Sequence, residues 1–446
     1  MPGGGSLRGD THPEKRGRDD EAFTHDPTAP SPRAAAAALG GGALLLATAC
    51  GGGGGDGEVT LTIDTFGVMG YEALIERFEE EHGIQVEERN ITDVADYTPQ
   101  LQQNIASGSG AGDVVAIEEA NIAQFMLQQD AFVDLAEHGA ADLEGDFLDW
   151  KWDQGVAPDG RIVGLGTDIG GLGMCYDTEL FGEAGLPTDR EEVGELWPTW
   201  DDYAATGEEF TEADTGAAFM STVQPLFRVV TAQAGGEPFQ NTEGELVIED
   251  TPTTREAYDT VTSMTGLSAA LPIWSDEWNA AIQDNAFATM PCPAWMLGHI
   301  ENTAGEAGEG RWDVAAVPGG GGNWGGSFLA VPTQSEHPEE AAELAKFLTS
   351  PEGQLGAWEE ANTLPSSPEA LESPEVTEFT RPYFNDAPVG AIFGATAMEL
   401  EPVYYGPDTQ AVDDAFRAGL ESVEQGQATA DEAWETAVAE SERAAG

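Results

Sequence analysis

Residues 312–354 read WDVAAVPGGGGNWGGSFLAVPTQSEHPEEAAELAKFLTSPEGQ, and the fold is decided there. Val314 to Val317 predicts a short apolar strand, ended by Pro318 and four glycines. Phe328 to Val331 resumes a strand that Pro332 stops. Pro338 then opens a helix at the first-turn position where its missing N–H costs nothing. Ala341, Ala342, Leu344, Ala345 and Leu348 supply that helix with an apolar face at helical spacing. Between the two strands Trp324 stands among Asn323, Gly325 and Gly326, where backbone can approach backbone closely. A large aromatic in that setting reads as a ligand-lining crossing. A glycine-rich surface loop with one packed tryptophan is the alternative.

Further motifs extend the pattern: GLGMCYDTELFGEAGLPT, WPTWDDY, WSDEWNAAIQDNAFATMPCPAWM and RPYFNDAPVGAIF. Together with GNWGGSFLAVP and HPEEAAELAKFLTSPEGQ they resemble the sugar-binding lipoproteins of bacterial ABC importers, the extracellular substrate-binding family 1. Within that family the chain is similar to actinobacterial cello-oligosaccharide-binding proteins, and the likeness covers most of the chain after Gly57. It implies an α/β, two-lobed periplasmic-binding-protein-like fold of the maltose-binding type, with hinge crossings and a ligand cleft between the lobes.

Bulk properties agree with two lobes and narrow the partners. At 446 residues, the chain exceeds the usual single-domain size. A 40% hydrophobic content and 11 tryptophans suffice for packed cores. The balance of 17 basic against 82 acidic residues gives a formal charge of -65, which disfavours nucleic acid and anionic membrane surfaces. The acid is scattered rather than gathered in a tail, so it reads as a carboxylate coat of the kind that salt screens. A halophilic character is the expectation.

In chain order, residues 1–49 read as a leader, in which Arg33 precedes an apolar run too short to span a membrane. Ala47-Thr48-Ala49-Cys50 resembles a lipobox, which makes Cys50 the lipid attachment point and residues 50–57 a glycine tether. A free cysteine in a Gly/Ala stretch is the alternative. Without residues 1–49, which hold 5 basic and 6 acidic residues, the charge is 12 − 76 = −64, so the acidity belongs to the folded part.

Val59 to Ile63 alternates as a strand, Tyr71 to Glu80 reads as a helix stopped by Gly83, and Ile84 to Val86 and Asp113 to Ile117 read as further strands. Strand, helix, strand repeated in this way means parallel sheet with ligands beyond the strand ends. Phe66 and the pair Glu118 and Glu119 lie at such ends, and solvated surface is the alternative for the glutamates. Gly164 to Gly170 misses the dinucleotide fingerprint by one position and reads as a hinge crossing with Asp168 toward the cleft. Leu364 to Pro368 reads as a third crossing. The expected lobes are 58–165 with 325–365, and 166–324 with 366–446.

Sugars offer hydroxyls to acceptors and C–H faces to aromatic rings. The candidate sugar-binding set is therefore Phe66, Glu118, Glu119, Asp168, Trp274, Trp278, Trp295, Asn323, Trp324 and Gly325. In the family, the tryptophan matching Trp295 stacks on a sugar ring. Trp312, Trp358 and Trp434 read as core or surface, and Trp278 could join them because Ile282 follows one turn later. The resemblance also places Cys175 and Cys292 near strand ends of one lobe, where they would form a disulfide; two buried free thiols are the alternative.

Six histidines without HExxH, and no GxSxG, phosphate loop or EF-hand, leave no metal or cofactor to expect. The resemblance implies a monomeric, non-enzymatic binding protein, held outside the cell membrane by its lipid and delivering an oligosaccharide to permease subunits. Readings left open are the same fold binding a polyamine or ferric ion, and a secreted glycosidase, since 82 acids supply endless carboxylate pairs.

Overall fold

The computed structural model describes residues 59–398, 400 and 403–445; the leader, Cys50 and the glycine tether lie outside them. The described strands are β1 (Thr60–Phe66), β2 (Gln85–Ile91), β3 (Val114–Glu118), β4 (Gly164–Asp177), β5 (Ala218–Met220), β6 (Phe287–Pro293), β7 (Trp312–Ala315), β8 (Asn323–Ala330) and β9 (Leu364–Pro365). They run side by side in the order β2-β1-β3-β8-β4-β6-β5, with β7 and β9 also on β4.

β1 lies parallel to β2 and β3, and the helices Glu72–His82 and Val94–Ser107 make the crossovers. β3 is apolar at four successive positions because both its faces are covered. Strand alternation sends Val114 and Ala116 into a core with Leu61, Ile63, Phe78 and Leu344. It sends Val115 and Ile117 into another with Tyr97, Leu101, Phe125 and Phe328. β2 is the edge and carries Glu87, Glu88 and Arg89, charges that discourage pairing with another chain. Helix Pro338–Thr349 starts at its proline and buries the five residues that its spacing marks.

β4 is the spine. Its first residues pair with β8 (Gly164 opposite Ala330, Gly166 opposite Phe328). Its last pair with β6 and β7 (Leu172 opposite Pro293, Asp177 opposite Trp312). In between, Asp168 and Ile169 face β9, so three chain crossings lie side by side. Beyond them lie two further cores, one around Phe181, Trp197, Tyr203, Phe227 and Phe416, the other around Trp278, Trp312, Trp358 and Phe393.

The crossings pack too closely for side chains. A Cβ on Gly170 would fall 1.8 Å from the Trp324 carbonyl oxygen, and one on Gly326, at φ 108°, would fall 2.4 Å from that of Asp168. This explains two corrections to the sequence reading, in β8 and β4, and a third concerns β7, which pairs with the last residues of β4. β8 begins at Asn323, not Phe328, so Trp324 lies inside a strand. β4 is one strand of 14 residues rather than a hinge loop followed by a strand from Leu172. β7 is shifted two residues toward the N-terminus, to Trp312–Ala315. Glycines that look like loop here keep extended pairing, and only close contact with a neighbouring strand requires them.

Cys175 and Cys292 are joined in a disulfide between β4 and β6, with Cα atoms 5.7 Å apart. Trp312, Trp358 and Trp434 are buried.

Candidate functional site

The aromatic wall grows from the end of β6. Trp295 caps helix Met296–Ala304, and its indole Nε1 donates to the Trp324 carbonyl at 3.1 Å. The two rings meet edge to face, 5.9 Å apart at 78°. Gly325 suits this seat through its left-handed backbone at φ 87°, since a Cβ there would meet the Trp295 Nε1 only at an ordinary 3.4 Å contact. Trp274 lies nearly parallel to Trp295, 6.0 Å away at 23°. It stands just before Ser275, which caps helix Asp276–Gln283 by accepting from the Trp278 N–H. Trp274 is 47% exposed. Its backbone is left-handed at φ 70°. That conformation costs a bulky residue about 1–2 kcal/mol, and such strain collects at ligand clamps.

Trp278 corrects the candidate set. At 1% exposure it belongs to the core behind the wall, edge-on to Trp274 at 5.3 Å and stacked on His299 at 5.4 Å. The helical spacing to Ile282, also buried, is the reason: both share the inner face of one helix. Phe66 is half-buried at the end of β1, and its ring neighbour is Tyr97, at 5.4 Å, rather than a tryptophan.

The polar wall comes from β3 and the crossings. Glu118 ends β3 and caps helix Glu119–Met126, accepting from the Ala120 N–H and Asn121 Nδ2, each at 2.9 Å. Glu119 follows it inward and is buried, which the alternation of a surface pair would not give. Its Oε2 accepts from Asn323 Nδ2 at 2.5 Å, while its Oε1 has no partner among the described residues. Asn323 Oδ1 in turn accepts the Gly170 N–H at 2.7 Å, so one amide ties β3's end to both crossings. Asp168 is 8% exposed, and its Oδ1 accepts from Thr167 Oγ1 at 2.6 Å and Ser327 Oγ at 2.9 Å. Burial pushes the carboxyls of Glu118 and Glu119 above their usual range, with Arg228 drawing Glu118 back, and Lys151 followed by Arg228 drawing Glu119 back.

The structure thus joins Trp274, Trp295, Trp324 and Gly325 in one wall, and sets two polar groups next to it, Glu119 with Asn323 and Asp168 with Thr167 and Ser327. Sequence reasoning missed Thr167, Ser327, His299, Arg228 and Lys151. For Lys151 a signal existed: the chain has three lysines, and this one sits between tryptophans in DWKWDQG. Among the described residues no group of three His, Cys, Asp or Glu side chains could hold a metal ion, and no helix is long and apolar enough to cross a membrane.

The profile of the family described as bacterial extracellular solute-binding protein matches residues 73–381. An arabinooligosaccharide-binding protein of Halalkalibacterium halodurans is 26% identical over 283 residues, 58% of this chain and 60% of that protein. A solved extracellular solute-binding protein of family 1 is 40% identical, with a TM-score of 0.81, over 87% of this chain and 100% of that one. The transporter-associated binding protein of B. animalis subsp. lactis in complex with beta-1,6-galactobiose, 23% identical over 86% and 96% of the two chains, shares the fold with a TM-score of 0.71. The chain belongs to the bacterial extracellular solute-binding proteins of family 1 and has their two-lobed α/β fold.

Proposed function

We propose that this protein captures an oligosaccharide between its lobes, residues 58–165 with 325–365 and 166–324 with 366–446, and delivers it to the permease of an ABC importer. One observation carries the reading: an aromatic wall of Trp274, Trp295 and Trp324 adjoins two buried carboxylates, Glu119 bonded to Asn323 and Asp168 bonded to Thr167 and Ser327. Those are the two halves of sugar chemistry, faces for C–H groups and acceptors for hydroxyls. The sugar ligands named for the arabinooligosaccharide- and galactobiose-binding relatives support the ligand class. Binding energy goes into lobe closure, not into bond chemistry. Cellobiose-like and arabinose-based chains are both within the class. Lipidation at Cys50 would anchor a monomer to the outer face of the membrane.

Calorimetric titration with cellobiose, arabinobiose, maltose, xylobiose, putrescine and ferric citrate tests the reading. At least one oligosaccharide should bind and be recovered uncleaved, with no heat from putrescine or iron. Heat from putrescine or iron alone, or cleavage of the sugar, would overturn it.

A further inference from the structure

We propose that Lys151 is the positioning residue of the cleft: its buried ammonium holds Glu119, and with it Asp168, as charged acceptors for the hydroxyls of a ligand. The inference rests on reading those two carboxylates as ligand acceptors.

Lys151 lies on the short helix Asp149–Gly155 and is 0% exposed. Its Nζ sits 3.9 Å over the centre of the Phe328 ring on β8 and has no hydrogen-bond partner among the described residues. Its stem runs against β4 so tightly that a Cβ on Gly166 would come 2.8 Å from its Cγ and 3.2 Å from its Cε. Gly166 is two residues before Asp168. The groups of opposite charge that act on the ammonium, all from beyond the 4 Å of an ion pair, are Glu119 and Glu118, from the β3 end, and Asp168, from β4. Glu119 is faced in turn by Lys151 and Gln154 from the helix, Arg228 from helix Gln224–Ala234, Asp168 from β4 and the Tyr405 hydroxyl.

A buried ammonium without a hydrogen bond is costly, and an apolar side chain of similar length would fill the space at less cost. The fold draws no cap and no hydrogen bond from this one. What it supplies is field. Dry surroundings favour the protonated, neutral form of Glu119, and a protonated carboxyl loses an acceptor site on the oxygen that Asn323 leaves free. Burial lowers the pKa of Lys151 itself, and the charge it carries while protonated favours Oε1 as an acceptor. Ligand hydroxyls can then donate to Oε1, the buried atom that the protein leaves unpaired.

The test uses Lys151→Met and the double variant Lys151→Met/Glu119→Gln in the folded chain. Infrared difference spectra between pH 5 and 9 should show a protonated-carboxyl band that persists to a pH about one unit higher in Lys151→Met than in the wild type, and that disappears in the double variant. Calorimetry with cellobiose and arabinobiose should show the acid-side loss of affinity moved up by the same interval, approaching tenfold in Kd per pH unit below it. A band unchanged from the wild type, or an affinity lowered equally at every pH, overturns the positioning role. A shifted band with wild-type affinity overturns instead the reading of Glu119 as an acceptor. Thermal melting covers poor folding of the single variant. The double variant should melt higher than the single one because it removes a carboxylate left with Arg228 as its remaining nearby cation, and one that melts no higher overturns the coupling.

Discussion

Removing the Cys175–Cys292 bridge should be the largest single loss of stability that leaves binding intact. The bridge closes a 117-residue separation, and in the chain-entropy model a loop of that length restrains the unfolded chain by about 5 kcal/mol. Both sulfurs are buried between β4 and β6, so the lost packing adds to that figure. The described residues, 59–398, 400 and 403–445, number 384. At roughly 2 cal/mol/K of unfolding entropy per residue, 5 kcal/mol corresponds to a fall of about 6 °C in Tm. Binding should hold below the melt, because five paired positions from Leu172–Pro293 to Tyr176–Thr289 keep β6, and hence Trp295, in register. The assay is scanning calorimetry of Cys175→Ala/Cys292→Ala against the wild type, with sugar titration 15 °C or so below the transition. A shift under about 1 °C refutes the entropic argument. Two thiols labelled per folded unit in unreduced, denatured protein would refute the bridge itself.

Trp274→Ala should raise Kd about thirtyfold or more, a hot-spot loss of roughly 2 kcal/mol, with little change in Tm because the ring is already half exposed. Trp324→Ala should lower both affinity and Tm, since its side chain also packs against both cores beyond the crossings; wild-type affinity with a lowered Tm would make it a core residue only. The carboxylate coat predicts a Tm that rises from low to molar potassium chloride, and a flat or falling Tm would contradict a halophilic design. Burial raises Asp177 from 3.8 to about 6, outweighing its helix-cap hydrogen bonds and Arg311, whose Nε lies 3.3 Å from its Oδ2. The folded state therefore binds this proton more tightly than the unfolded chain. Stability is lost as pH rises from about 4 to about 6 and is flat above, a difference of about 3 kcal/mol that Asp177→Asn should abolish in paired melts across that range. Cys50→Ser should move the protein from the membrane to the soluble fraction, and a variant retained on the membrane would exclude lipidation as the anchor.

What the sequence made legible was whatever one element settles alone. The helix from Pro338 needs only its proline and its apolar spacing, and β3 needs only four apolar residues too few for a helix. Boundaries at the crossings were hidden because the glycines of β8 serve a neighbouring strand, and spacing along one strand carries no trace of the other. Lys151, and the burial of the candidate Glu119, were hidden for a related reason. Composition makes a glutamate in an acidic chain look solvated, and a lysine is read as surface by default. Their burial is fixed by residues as distant as Asn323 and Phe328, which no local pattern connects to them. The tryptophans fall between the two cases: Trp278 stood in the candidate set with helical spacing to Ile282 as the sign of a core alternative, while the exposure of Trp274 depends on a left-handed backbone that nothing in Ile273-Trp274-Ser275 announces.

The same placement bears on how the cleft works. Asp168, Asn323 and Gly325 stand on the crossing strands, where pairing between β4, β8 and β9 holds them whichever way the lobes turn. Trp295 packs against the core reached through β6 and Trp274 stacks on Trp295, whereas Glu118 and Glu119 follow β3 on the far side of the crossings. A hinge motion would therefore change the distance between the tryptophans and the glutamates while leaving the central residues nearly fixed. A sugar can be oriented first on that fixed middle, at little conformational cost. On the proposed reading, closure would then add the aromatic face and the outer acceptors together, so that only a ligand presenting both an apolar face and hydroxyls would stabilise the closed form. Putrescine offers charge without a face, and could at most engage the glutamate side. On this geometry selectivity comes from the requirement that both walls be satisfied at once, which no single residue of the set could impose.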